Sequence, residues 1–197
     1  MKKVWCVVLS ALLISCVAGV NAWAAEKVLY GFEKGSEGWE IPEWALEKED
    51  HVAKSVEASK DVAKEGKSSL KVMTVFPGKI WAASMVEVAE YFDWSTYKEV
   101  SCDIYLPANA QEGLKAKMIL TIGDDWAFVE MSRSEKLVPG QWTTIKASLA
   151  DGSMDFRKIV ADKAFRSDIR KLAVRVESNK KPEYTGPIYI DNVKVTE

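Results

Sequence analysis

From Val28 onward the chain is written in short stretches of apolar and polar alternation, each ended by Gly, Pro, Asn or Asp. A period of two sends successive side chains to opposite faces, so these stretches are strands half-buried on one side. Leu70 to Val75 alternates; Val100 to Leu106 does so and stops at Pro107. Leu114, Ala116, Met118, Leu120 and Ile122 form one face of the next strand, Gly123-Asp124-Asp125 supplies a tight turn, and Trp126 to Met131 runs back, which makes residues 114–131 a hairpin. After the turn at Pro139-Gly140 come Trp142 to Leu149, Lys171 to Val176 and Ile188 to Val195, for a total of about eight strands. Helical spacing is confined to Phe156–Phe165. The expected fold is all-β: a two-sheet antiparallel β-sandwich, with one short helical crossover and a single domain over residues 26–197.

The 197 residues, 48% hydrophobic and 28% charged, suit one folded core and exclude a disordered or collagen-like chain. With 27 basic against 29 acidic residues there is no strong basic field, so nucleic acid is not expected as a partner. Lys2 and Lys3 precede an apolar run from Val4 to Val20 and the small-residue site Asn21-Ala22-Trp23-Ala24-Ala25, the pattern of a leader cut after Ala24. Leu13-Ile14-Ser15-Cys16 competes as a lipobox, which would acylate Cys16 and leave a lipid anchor. Either cut implies export to the periplasm or beyond, with no transmembrane span after processing. Removal of residues 1–24 takes Lys2, Lys3, Cys6 and Cys16, leaving a net charge of about −4 and Cys102 as the one thiol. Cys102 is in phase with Val100 and Ile104, so it reads as a buried small hydrophobe.

Strand parity gives the aromatic residues a meaning. In Trp126–Met131, Ala127, Val129 and Met131 are apolar, whereas Trp126, Phe128 and Glu130 share the other face. Neighbours at i and i+2 stand about 7 Å apart, and such a pair on an open face is a stacking platform for sugar rings. Arg175 alternates against Val174 and Val176, and Trp81, Met85 and Glu87 alternate against Ala82, Val86 and Val88, so both strands offer compatible polar and aromatic positions. Trp126 and Phe128 are thus expected to stack on sugar, with Trp81, Glu130 and Arg175 as further contacts. Trp39, Trp94 and Trp142 are assigned to closing the core. Trp44, in Ile41-Pro42-Glu43-Trp44, fits either a cap on the sandwich or the ligand face.

Several stretches, taken in order, resemble the galactose-binding-like jelly-roll carbohydrate-binding modules attached to mannanases and cellulases. They are Tyr30-Gly31-Phe32-Glu33 with Gly38-Trp39, Glu65 to Val72, Asp93 to Lys98 leading into Asp103 to Pro107, Ile122 to Trp126, Pro139 to Thr144, and Gly186 to Val193. The resemblance implies non-catalytic binding of a β-linked polysaccharide or oligosaccharide, by what is expected to be a monomer. It also implies a structural Ca²⁺ near the chain termini, with Glu33 in the first strand and Asp191 in the last as carboxylate ligands and a carbonyl near Lys67. Trp126 matches an aromatic position of the mannanase-type modules; where a second Trp often follows, this chain has Phe128.

Catalysis has little to draw on. A retaining glycosidase needs two carboxylates about 5–5.5 Å apart, and Glu130 is the best single acid without an evident partner. His51 is the only histidine, in a charged stretch, and no G-x-S-x-G, phosphate loop or dinucleotide fingerprint occurs. A jelly-roll hydrolase or lyase, and an envelope domain that binds protein, are the alternatives to glycan binding.

Overall fold

The computed structural model describes residues 25–197; the leader and the lipobox at Cys16 lie outside the described residues. The elements run β1 (Glu26–Tyr30), α1 (Glu43–Leu46), β2 (Ala53–Ser59), β3 (Ser69–Pro77), β4 (Trp81–Phe92), β5 (Glu99–Leu106), β6 (Lys115–Ile122), β7 (Ala127–Glu130), β8 (Glu135–Lys136), β9 (Gln141–Ser148), α2 (Lys163–Ser167), β10 (Ile169–Asn179) and β11 (Glu183–Thr196). They form two antiparallel sheets. Sheet A has the order β2-β3-β11-β5-β9, with β1 also on β11; sheet B has the order β4-β10-β6-β7, with β8 also on β6. No helix among the described residues is long and apolar enough to cross a membrane.

The apolar parity of each strand sets which side faces the partner sheet. Ala116, Met118 and Leu120 of β6, Leu172, Val174 and Val176 of β10, and Val100, Cys102 and Ile104 of β5 all lie in one buried cluster. Fully burying each large aliphatic side chain contributes roughly 1.5–3 kcal/mol. At one end Tyr30, Phe32, Trp39, Phe92 and Trp94 interlock, with Tyr30 edge-on to Trp39 at 5.6 Å and Phe92 tilted on Trp94 at 5.1 Å. Trp39 and Trp94 therefore close the core as their sequence context indicates. Cys102 is fully buried, and that burial drives its thiol far up, out of reach of thiolate chemistry.

Three expectations need correction. Helix α2 covers only Lys163–Ser167, because the Asp162 carboxylate caps the Phe165 N–H at 2.7 Å and Lys158 takes a left-handed φ of 64° that breaks any earlier helical run. Phe156 and Phe165 still meet, 5.7 Å apart, but across a turn. Trp142 is half-buried on the outward side of sheet A, where it packs on its cross-strand partner Tyr105 at 5.4 Å; it does not close the core. Glu33 lies in the loop after β1, outside the strand itself.

Candidate functional site

The outward side of sheet B carries four of the five residues singled out by parity. Cross-strand register aligns them in rows: Phe128–Thr121–Lys171–Ala89, then Glu130–Ile119–Ala173–Glu87, then Lys117–Arg175–Met85, and last Asn179–Trp81. Met85, Ile119 and Ala173 are buried although they face outward, and form a small apolar floor. Above it lies a lattice of ion pairs. Arg175 binds Glu130 at 2.6 Å and Glu177 at 3.1 Å, Arg157 binds Glu130 at 2.9 Å, Lys117 lies 3.6 Å from Glu130, and Lys171 binds Glu87 at 2.6 Å. Burial pushes the Glu130 carboxyl up, but Arg175, Lys117 and Arg157 outweigh it and hold the group below its ordinary range.

Trp44 completes the site, and its place was not legible in the sequence. The segment carrying α1 is tied to the free edge of β4 at both ends: Glu40 and Glu87 exchange backbone bonds at 2.9 Å, and Ala83 accepts from the Val52 N–H and donates to Asp50. His51 Nε2 lies 3.1 Å from the Met85 backbone nitrogen and 3.3 Å from the Met85 carbonyl oxygen, which ties the same segment to β4 through its side chain. Trp44 then shares one open cleft with Trp81, His51, Met85, Phe128 and Arg175. Trp44, Trp81 and Phe128 are 49%, 40% and 51% exposed, high values for rings of this size. The cleft continues in two directions. Beyond Trp44 it is lined by Glu40, Glu43, Glu47, Glu87 and Lys171; beyond Trp81 it is lined by Lys115, Glu177, Asn179 and Lys181.

Trp126 stands apart from this group. The hairpin turn puts it at φ 54°, before β7 begins, so it is not an i, i+2 ladder neighbour of Phe128 as strand parity alone implies. It is 48% exposed, and the Arg170 guanidinium lies over its ring at 5.3 Å.

The residues assigned to Ca²⁺ meet a loop. Glu33 Oε1 accepts the N–H groups of Lys67 at 2.7 Å and Ser68 at 2.9 Å, and Gly66, at a left-handed φ of 62°, brings the loop onto that oxygen, which any Cβ there would displace from its bonds. Asp191, wholly buried, accepts from Lys64 at 2.7 Å, Glu65 at 3.1 Å and its neighbour Asn192 at 2.7 Å. Desolvation raises its carboxyl despite these donors. Lys67 thus contributes its N–H. Ca²⁺ takes six to eight oxygens, and among the described residues no group of three or more His, Cys, Asp or Glu gathers for a metal. As placed, both carboxylates anchor loop 64–68 through N–H bonds.

Two antiparallel sheets packed on a shared core, one with an aromatic-lined outer face, make the protein a β-sandwich. The chain belongs to the family described as "Mannanase, galactose-binding domain-like", whose model matches residues 30–192. Among solved structures it is similar to a Caldicellulosiruptor saccharolyticus family 27 carbohydrate-binding module determined with mannohexaose, at TM-score 0.60 and 23% identity, covering 87% of this chain and 96% of that one. It is also similar to a family 28 module specific for non-crystalline cellulose, at TM-score 0.59 and 15% identity, covering 84% and 91%. At these identities the likeness is one of fold. No curated protein matches the chain.

Proposed function

We propose that the outward face of sheet B binds a neutral β-linked polysaccharide without catalysis. The observation that carries this reading is the convergence of Trp44, Trp81 and Phe128 on one cleft beside Arg175. Aromatic planes accept the C–H faces of sugar rings, and the flanking carboxylates and guanidinium suit their hydroxyls. The acids around Trp44 disfavour a polyuronate, so a neutral glycan is the matching class. The modules with this fold support the reading, one solved with mannohexaose and one specific for non-crystalline cellulose.

Against catalysis stands Glu130, held ionised by three cations and therefore unable to serve as a proton donor at neutral pH. Affinity electrophoresis of residues 25–197 against mannans, glucans, xylans and pectins tests the proposal. Retardation by a neutral polymer and not by pectin is expected; no retardation by any polymer contradicts it, and sugar release abolished by Glu130→Gln would restore the enzyme reading. A structural Ca²⁺ on Glu33 and Asp191 is a separate proposal taken from the family resemblance. A Tm raised by Ca²⁺ over chelator, and unresponsive in Asp191→Asn, is its test. Export through residues 1–24 belongs to the same account and is checked by the N-terminus of the mature protein.

A further inference from the structure

Trp126 and Tyr91 are the two strongly exposed aromatics near the far end of sheet B, at 48% and 69%. A single guanidinium joins them: the Arg170 Cζ lies 5.3 Å from the Trp126 centroid and 5.4 Å from that of Tyr91. Free arginines on a surface sweep many rotamers, but this one is fixed. Its Nε and Nη2 form a fork on the Asp168 carboxylate, both at 3.0 Å, Nη2 also binds Asp124, and its side chain is only 10% exposed. These bonds, the Asp168 fork first, hold Arg170 firmly protonated. The register shift between β4 and β10 at Ile169/Lys171 brings Arg170 to this place. Arg170 therefore covers one side of each ring and leaves the rest open, with both rings pre-oriented.

Structural economy alone does not explain such an arrangement. A buried, doubly paired arginine could lie against aliphatic side chains; here it supports two rings that are mostly in water. The position lies past the end of a path, where Tyr91 also borders a cleft with Val28 and Tyr30 of β1. The clefts beyond Trp81, around Trp44 and beyond Trp44 share residues end to end, and the last reaches Glu87 and Lys171, next to the row that holds Ala89 and Phe128. Tyr91 follows two residues later on β4. From Trp81 to Tyr91 the strand advances roughly 30 Å at ~3.3 Å per residue.

We infer that Tyr91 and Trp126, clasped by Arg170, form a second glycan-stacking station on the outward face of sheet B, reached only by ligands long enough to extend out of the Trp44–Trp81 cleft. This rests on the glycan-binding reading above. Tyr91 would contact sugar, and Arg170 acts as a positioning residue that presents both rings.

The test compares binding of β-1,4-linked mannotriose, mannohexaose, cellotriose and cellohexaose by calorimetry to wild type, Tyr91→Ala, Arg170→Gln and Trp81→Ala. In whichever series binds, wild type should favour the hexasaccharide over the trisaccharide by about tenfold or more, and Tyr91→Ala should bring that ratio to within about twofold while leaving trisaccharide affinity unchanged. Arg170→Gln should do the same, and Arg170→Lys should not rescue it, because an ammonium keeps the charge but neither the fork nor the plane. Trp81→Ala should weaken both lengths. A full hexasaccharide preference in Tyr91→Ala overturns the second station, as does an equal loss for both lengths. If wild type binds none of the four sugars and no neutral polymer of the electrophoresis panel retards it, the glycan reading itself has failed; a wild type that binds a hexasaccharide no better than its trisaccharide overturns the second station alone. Tyr91 is exposed enough that its removal leaves the fold intact, which thermal melting checks.

Discussion

The two outward faces of the sandwich both carry aromatic residues, and they use them in opposite ways. On sheet A, Trp142, Tyr105 and Tyr189 are direct cross-strand partners on β9, β5 and β11; their rings lean on one another at 5.4 and 6.2 Å, and Tyr189 is 6% exposed, with its hydroxyl donating to Asp61 at 3.1 Å. On sheet B, Trp44, Trp81 and Phe128 come from a helix and two strands that are not neighbours, and all three stay at least 40% exposed around an open cleft. Adjacent rings satisfy one another and stabilise a sheet. Rings held apart in this way make no aromatic contact with one another and stay open to a ligand, with only Trp44 carrying a cation, the Lys48 Nζ 5.5 Å from its centroid. Aromatic content on a face therefore says less than whether each ring already has a partner.

That contrast can be broken most sharply by the double variant Trp44→Ala/Trp81→Ala, which should abolish retardation by a polysaccharide that slows wild type while shifting Tm little, since both rings are half in water. Next in size, Trp142→Ala should destabilise the fold by about 2 kcal/mol, read from urea unfolding, and leave polysaccharide binding unchanged. If Trp142→Ala instead removed binding, the two faces would have been assigned the wrong way round. Glu130→Gln removes the negative charge and one of the two acceptor oxygens shared by Arg175, Arg157 and Lys117 and should cost about 1–3 kcal/mol of stability, with no change in any sugar release.

The smallest effect is a pH dependence. Burial pushes the His51 imidazole below its ordinary 6.5. As pH falls through 6.5 the unfolded chain takes up this proton first, so stability declines across the window between 6.5 and the folded value and then levels off. Comparing urea midpoints between about pH 5 and pH 8 should reveal that slope in wild type and a shallower one in His51→Gln.

Much of sheet B's outward face was readable from alternation. A period of two is enough to place Trp81, Glu130, Arg175 and Phe128 on one side, because each lies in a regular ladder whose other side is apolar apart from the buried Ser84 and Ser178. Trp126 escaped that logic because a left-handed turn residue has no strand parity. Trp44 escaped it too, since its place depends on long-range backbone bonds from Glu40 and Asp50–Val52 to the edge of β4, which no local pattern encodes. Arg170 was invisible for a similar reason: a register shift, not a repeat, brings it between two rings. Trp142 misleads in the other direction: its place at the start of an apolar segment suggests the core, but its parity is opposite to that of the buried Ile145 and Ala147, which turns the ring outward.

The most direct test of the account is affinity electrophoresis of wild type, Trp81→Ala and Trp142→Ala side by side in one neutral β-linked polysaccharide. Wild type and Trp142→Ala should be retarded equally, while folded Trp81→Ala is retarded much less. Equal retardation of all three proteins would contradict the assignment of the ligand face to sheet B.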